Sequence, residues 1–248
     1  MHQSQQKNAL VIGLGGIGQA VAQALIDSKV VGAVYGVSRR SLPEAHALQQ
    51  ASSYHPVLVE DYEESSIENA CAALPQGQFS LVVCTLGILH DSVTQLYPEK
   101  KLEDLTPSHL SQYFLENVTI PAIWLKHVVR LLAPKHPSQI VFLSARVGSI
   151  SDNRLGGWYG YRSAKSALNM LVKTAQIEVS RRYKQCALVL YHPGTVDTRL
   201  SVPFQQNIPQ EKLFTPEFTA HQLLSCLPNL AAHDAPHYID WSGQTIPW

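Results

Sequence analysis

The chain has 248 residues, a length that one α/β domain commonly reaches. Its 19 Lys and Arg residues balance its 19 Asp and Glu residues, and charged residues make up 15% of the chain. Zero net charge argues against a nucleic-acid-binding protein and against electrostatic attachment to an anionic membrane, because both partners attract an excess of cations. We therefore predict one domain over residues 1–248 that binds neither partner.

Short apolar runs alternate with helical patterns along the chain. The apolar runs predict strands at Ala9–Ile12, Ala33–Val37, Pro56–Val59, Phe79–Cys84, Gln139–Leu143, Ala187–His192 and His237–Trp241. Helical patterns cover Ile17–Asp27, a segment opened by the capping-box spacing of Ser65 and Glu68, Thr106–Leu132, Tyr159–Tyr183 and a last segment from Thr215. This alternation predicts an α/β fold with a parallel sheet, whose ligands lie beyond the carboxyl ends of the strands.

The sequence predicts neither a targeting segment nor a metal site. The residues before Ala9 are polar, and the apolar run after them is too short for a signal peptide or a membrane span, which favours a cytoplasmic protein. None of the 11 histidines has a metal-ligand spacing. The four cysteines lie far apart, which is typical of reduced, packed thiols: Cys71, Cys84, Cys186 and Cys226.

A glycine-rich loop follows the first predicted strand. Its sequence is Gly13-Leu14-Gly15-Gly16-Ile17-Gly18, and it leads directly into the first predicted helix. Glycines let the backbone approach a pyrophosphate, and a helix N-terminus offers free N–H groups and a partial positive charge. In this strand–loop–helix setting the motif predicts a dinucleotide cofactor.

The end of the second predicted strand indicates which dinucleotide binds. The strand ends in Gly36-Val37-Ser38-Arg39-Arg40, with no Asp or Glu to bind the ribose hydroxyls. Ser38 and Arg39 suit a 2′-phosphate through a charge-assisted contact, so we predict NADP(H). The alternative is NAD(H), with both arginines as solvated surface residues.

Tyr161 and Lys165 lie near the start of the longest predicted helix. Residues four apart share a helix face, so the phenol and the ammonium group point into one site. A free tyrosine has a pKa of about 10, and a neighbouring Lys⁺ favours the phenolate. The pair predicts Tyr161 as a general acid for carbonyl reduction or a general base for alcohol oxidation.

Together these features resemble the short-chain dehydrogenase/reductase family. Further matches are Asp61 after the third strand, Asn117 before the fifth, and Pro193-Gly194-Thr195-Val196-Asp197-Thr198 after the sixth. The segments Ser144–Ile150 and Gly156–Asn169 are most similar to the C-factor-like branch and to sniffer-type carbonyl reductases. The resemblance implies a doubly wound Rossmann-type parallel sheet of about seven strands, in a homodimer or homotetramer.

The resemblance also implies roles for individual residues. Hydride passes between the nicotinamide and a small carbonyl or alcohol substrate, and Tyr161 gives or takes the proton. Lys165 binds the nicotinamide ribose and lowers the pKa of Tyr161, and Asn117 anchors a relay water. The implied cofactor contacts are Gly13, Gly15, Gly16, Ile17, Gly18, Ser38, Arg39, Asp61, Tyr62, Gly87, Tyr161, Lys165, Pro193, Gly194, Val196 and Thr198.

Three departures from the family pattern affect the site. The glycine loop is one residue shorter than usual, and the family's Asn-Asn-Ala-Gly is replaced by Cys84-Thr85-Leu86-Gly87. The family's catalytic serine, aligned on its downstream glycine, falls on Ala145, which cannot donate a hydrogen bond to a carbonyl oxygen. We predict Ser149 as the substitute, with Ser144 or no serine at all as alternatives.

Three segments of the chain are expected to form the substrate pocket. We expect the pocket walls from Ile88–Leu102, Ile150–Trp158 and Thr198–Phe214, with Leu155, Trp158 and Phe204 as apolar lining.

The leading function is an NADP-preferring carbonyl reductase. The alternative is a cofactor-binding sensor or cell–cell signalling protein with weak or no turnover, because the C-factor-like branch is associated with signalling and Ala145 fits a partial loss of activity.

Overall fold

The computed structural model describes residues 6–206 and 208–248. The strands of this part of the chain are Asn8–Ile12 (β1), Val34–Ser38 (β2), Tyr54–Leu58 (β3), Phe79–Cys84 (β4), Ser138–Leu143 (β5), Cys186–His192 (β6), Thr195–Val196 (β7), Leu213–Phe214 (β8) and His237–Asp240 (β9). The helices are Gly16–Ser28 (α1), Ala47–Gln50 (α2), Glu64–Ala73 (α3), Pro107–Phe114 (α4), Ile120–Val128 (α5), Tyr159–Arg182 (α6) and Pro216–Cys226 (α7).

Seven strands form one parallel sheet in the order β3-β2-β1-β4-β5-β6-β9. The chain builds outward from β1 in one direction and then, from β4, in the other. This reversal leaves a crevice at the carboxyl ends of β1 and β4, the usual ligand site of such sheets. The predicted α/β fold with a doubly wound parallel sheet of about seven strands is confirmed.

Both faces of the sheet are covered by helices, which explains why the strands are continuous apolar runs. Successive side chains of a strand point to opposite faces, so neighbouring residues of β1 enter different cores. Leu10 packs on the face covered by α3, α5 and α6, whereas Val11 packs on the face covered by α1 and α7. Both side chains are completely buried.

Two predicted helices begin or continue differently in the structure. Thr106 caps α4 as predicted, with its hydroxyl accepting the His109 N–H, but the helix predicted to continue to Leu132 is interrupted by a π-helical turn at Leu115–Thr119. The predicted capping box at Ser65 does not form, because α3 starts earlier, after Glu63. Interruptions of the π type are frequent at functional sites.

Candidate active site

One cavity opens where the order of the strands reverses. It has a volume of about 860 Å³ and lies beyond the carboxyl ends of β4, β5 and β6, next to the start of α1. The residues predicted for the site that line this cavity are Gly15, Gly16, Ile17, Gly18, Gly87, Tyr161, Lys165, Pro193, Gly194, Val196 and Thr198. The glycine loop, the Tyr–Lys pair and the segment after β6 therefore share one space.

Thr85 holds the glycine loop against the end of β4. Gly13 adopts φ +90°, and Thr85 Oγ1 donates to the Gly13 carbonyl at 2.6 Å. Gly18 packs so closely that a Cβ atom there would lie 1.9 Å from the Gly13 oxygen. Helix α1 has no side-chain cap and no acidic residue in its first turn, so its end suits an anionic phosphate. Sequence reasoning missed Thr85, whose only signal is its position directly after a central strand.

Replacing Gly18 with alanine is expected to destabilise this loop. The added methyl group collides with the Gly13 carbonyl, and overpacking of this kind costs about 1–3 kcal/mol, or a Tm lower by roughly 2–12 °C for a chain of this size. Scanning calorimetry measures the shift. Gly15→Ala is the matched control for stability, because a Cβ atom on Gly15 has no heavy atom within 4 Å. Equal Tm values for the two variants would contradict the close packing at Gly18.

Tyr161 and Lys165 lie buried in the first turns of α6. Lys165 Nζ is 5.6 Å from the centre of the Tyr161 ring and donates to the Leu143 carbonyl at 3.0 Å. Burial raises the pKa of Tyr161 above its usual value and lowers the pKa of Lys165 to about 8. In the protein alone, burial therefore outweighs the effect predicted for the lysine. Tyr161 keeps its proton, as a general acid requires.

Asn117 fastens the loop after β4 to the π-helical turn between α4 and α5. Its buried side chain accepts from the Ile88 N–H at 3.1 Å and donates to the Ile88 carbonyl at 2.9 Å. A Cβ atom on Gly87 would lie 2.8 Å from Asn117 Oδ1 and 3.1 Å from Lys165 Nζ. Glycine at position 87 thus leaves room for both the Asn117 amide and the Lys165 ammonium group beside this loop.

The segment after β5 brings Ser144 and Ala145 to the cavity wall, but not Ser149. Ser144 Oγ donates to Asn169 Oδ1 at 2.6 Å. Ser149 is buried away from the cavity, where its hydroxyl accepts from the Asp152 N–H at 3.1 Å. The structure therefore does not bring the predicted Ser149 to the Tyr–Lys pair, because a short 3₁₀ turn after Ala145 directs it elsewhere.

The residues predicted for the adenosine end form a separate cluster outside the cavity, at the ends of β2 and β3. The guanidinium carbon of Arg39 lies 5.0 Å from the centre of the Tyr62 ring. Ser38 Oγ donates to the Arg40 carbonyl at 2.7 Å, and Asp61 Oδ1 accepts from a backbone N–H two residues later at 3.0 Å. These side chains are thus gathered at two adjacent strand ends, on the side of the sheet beyond β1.

Aromatic side chains line the other end of the cavity. The Trp158 ring centre lies 6.3 Å from that of Tyr161 and 5.3 Å from that of Phe204. The prediction of Leu155 as a third lining residue is wrong, because its side chain is 92% exposed. The two glycines between Leu155 and Trp158 have φ values of +64° and +65°, and this left-handed turn leaves only the tryptophan facing the cavity.

The His, Cys, Asp and Glu side chains of residues 6–206 and 208–248 do not form a group of three or more that could hold a metal ion. Within the same ranges, no helix has the length and apolar character that a membrane crossing needs. All the cysteines are free thiols, and Cys71, Cys84 and Cys186 are buried.

The strand order and the cavity at its switch point define a Rossmann-type α/β protein. Comparison with known proteins then gives the family: the short chain dehydrogenase family profile matches residues 7–209, and the chain belongs to this family of oxidoreductases. The family predicted from the glycine loop and the Tyr–Lys spacing is confirmed.

Two curated relatives match part of the chain. One is 1-hydroxy-2-glutathionyl-2-methyl-3-butene dehydrogenase of a Rhodococcus species, with 30% identity over 45% of this chain and 47% of that protein. The other is the C-signal protein of Myxococcus xanthus, with 29% identity over 44% of this chain and 61% of that protein. The chain thus spans about half the length of these relatives. The second agrees with the predicted C-factor-like branch.

Solved structures match almost the whole chain at low identity. An NADPH-bound carbonyl reductase from chicken fatty liver superposes with a TM-score of 0.82 and 22% identity, covering 98% of this chain and all of that one. The sniffer carbonyl reductase of Drosophila melanogaster gives the same TM-score and coverage with 18% identity. At such identities the likeness establishes the shared fold.

Proposed function

We propose that the protein is an NADP(H)-dependent reductase that interconverts a small carbonyl compound and its alcohol. The observation that carries this proposal is that Tyr161 and Lys165 share one cavity with the glycine loop. When bound, the cofactor supplies the hydride. The structures of related fold that hold NADP or NADPH are consistent with the same cofactor here.

Different residues of this chain bind the cofactor and transfer the proton. The glycine loop and the first turn of α1 hold the pyrophosphate, and Pro193 and Gly194 face the nicotinamide end. Lys165 holds the nicotinamide ribose. Tyr161 donates its proton to the carbonyl oxygen, and its raised pKa keeps that proton in place until negative charge develops on the oxygen. Trp158 covers the site on the substrate side and excludes water.

NADP(H) specificity is assigned to Arg39 and Ser38. Arg39→Asp is expected to weaken NADPH binding on the order of 10²-fold and to leave NADH binding nearly unchanged, because a charge-assisted hydrogen bond to the 2′-phosphate is worth about 1.5–3 kcal/mol and is replaced by repulsion. Calorimetric titration with both cofactors measures the two dissociation constants. Arg40→Asp carries the same charge change one residue later and serves as the control. Equal losses of affinity for NADPH and NADH in the Arg39→Asp variant would overturn this assignment.

A cofactor-binding sensor is the second candidate. The observations that favour it are Ala145 in the cavity wall, where the family has a serine, and the match to C-signal. NADPH oxidation against a panel of aldehydes, ketones and quinones separates the two functions. Turnover of any of them supports the reductase. Tight NADPH binding with no turnover, together with no effect of Tyr161→Phe, supports the sensor.

A homodimer or homotetramer is proposed as the assembled state. Apolar side chains stay exposed next to α4 and along α6: Leu115, Met170 and Ile177 are 49%, 64% and 60% exposed. Covering such side chains with a second copy removes apolar surface from water. Light scattering coupled to size-exclusion chromatography measures the mass, and a monomer would contradict the proposal. A cytoplasmic location likewise remains a prediction.

A further inference from the structure

His192 is a cavity residue that the motif analysis did not single out. It ends β6, one residue after Tyr191, whose carbonyl accepts the Ser144 N–H at 2.9 Å. The two parallel strands pair Leu143 with Tyr191, so His192 lies beside Ser144 and next to Ala145. The residue lines the same cavity as Tyr161.

The two ring nitrogens of His192 have different surroundings. Nδ1 is enclosed and has no hydrogen-bond partner among the described residues, whereas Nε2 is not enclosed in this way. The charged groups facing the ring are the Arg146 guanidinium and the Asp240 carboxylate, which are themselves paired at 3.0 Å. Burial, and next the Arg146 charge, lower the pKa of His192 to about 4. The imidazole is therefore neutral at physiological pH and carries a single N–H.

The surroundings also fix which nitrogen carries that proton. An enclosed N–H without an acceptor costs more free energy than an enclosed lone pair, because unpaired donors are the rarer and more costly case in proteins. The hydrogen therefore belongs on Nε2, the nitrogen that is not enclosed.

The segment after β5 offers the cavity no free serine hydroxyl. Ala145 has no hydroxyl, and Ser144 already donates to Asn169 Oδ1. We propose that the Nε2–H of His192 donates a hydrogen bond to the carbonyl oxygen of the substrate, in place of the hydroxyl that Ala145 lacks. His192 keeps its proton throughout and stabilises the charge that develops on the oxygen, while Tyr161 supplies the proton. This inference rests on the proposed reductase function.

The first test reads the tautomer directly and needs no turnover. Long-range ¹H–¹⁵N spectra of the cofactor-free protein, labelled with ¹⁵N-histidine and assigned with His192→Gln, show which ring nitrogen is protonated. We expect a neutral Nε2–H ring from about pH 5.5 to about pH 8. A Nδ1–H tautomer, or a titration of His192 within this range, would overturn the proposal.

The second test exploits the reach of two amide side chains. The amide nitrogen of glutamine takes up roughly the place of Nε2, whereas that of asparagine takes up the place of Nδ1. His192→Phe and His192→Asn are expected to lower kcat by about 10²–10³, the usual cost of one lost donor to a developing oxyanion, whereas His192→Gln stays within about tenfold of wild type. NADPH dissociation constants and Tm values of the three variants separate this loss from a structural effect.

Adding Ala145→Ser to His192→Phe tests whether a serine hydroxyl can replace the histidine N–H as the donor to the substrate oxygen. The new hydroxyl at position 145 is expected to raise kcat at least about tenfold above that of His192→Phe, because it offers a donor to the same oxygen. Wild-type turnover together with an unaffected His192→Phe variant overturns the donor role and leaves the reductase intact. A loss of turnover in Ser149→Ala that His192→Phe does not show assigns the donor to Ser149 instead. A wild type that reduces no carbonyl compound overturns both proposals together.

Discussion

Tyr161→Phe is expected to lower kcat by about 10²–10⁴, because a positioned general acid contributes a rate factor of this size, and to weaken NADPH binding far less. The substitution removes one oxygen and keeps the ring, which packs against Trp158 and Tyr113. The loss therefore reports on proton transfer and not on the shape of the cavity. NADPH oxidation with a carbonyl compound that the wild type reduces measures kcat, and calorimetric titration measures cofactor binding.

Tyr159→Phe is the matched control for this variant. Tyr159 lies two residues earlier on the same helix, loses the same oxygen in the substitution, and does not line the cavity. Its turnover is expected to equal that of the wild type. Equal activity of the two phenylalanine variants, for a substrate that the wild type reduces, would remove Tyr161 from its proposed role.

Lys165→Met is expected to lower turnover by about 10² or more and to change how stability depends on pH. Burial lowers the pKa of Lys165 to about 8 in the folded protein, whereas in the unfolded chain it is about 10.4. Between these two values the unfolded chain binds the additional proton. The free energy of unfolding of the wild type should therefore rise between about pH 8 and about pH 10, by up to about 1.4 kcal/mol per pH unit from this group.

Methionine has a similar length and no titrating group, so the variant should lack this contribution. Denaturant unfolding at several pH values, without cofactor, measures it as the difference between the two proteins. Lys173→Met is the control, because Lys173 lies on the same helix but is exposed, with its ammonium 4.2 Å from the centre of the Trp248 ring. Parallel stability curves for wild type and Lys165→Met would contradict the lowered pKa.

The sheet and the two reactive ends of the cavity could be predicted from local patterns. Seven apolar runs separated by helices were sufficient for the sheet, because a strand covered on both faces must be apolar throughout. The glycine loop was predictable because its residues adjoin a strand end and a helix start. Tyr161 and Lys165 were predictable because a helix places residues four apart on one face.

Irregular segments were predicted less well. The sequence contains serines at positions 144 and 149, and their spacing to Tyr161 favoured Ser149. In the fold, a 3₁₀ turn directs Ser149 away from the cavity, and Ser144 is held by Asn169. The same limitation explains Leu155, whose exposure follows from a glycine turn that apolarity alone does not indicate.

By itself, the sequence determined the family, the parallel α/β fold, the loop for a dinucleotide and the Tyr–Lys pair. Only the tertiary structure decided how the glycine loop is held by Thr85, that Asn117 and Lys165 both lie against Gly87, and that His192 lines the cavity. The physical reason is that strand and helix periodicities fix the relative positions of residues that are close in sequence. Contacts between residues from different strand ends depend on the packing of the whole sheet and its helices, which no local pattern records.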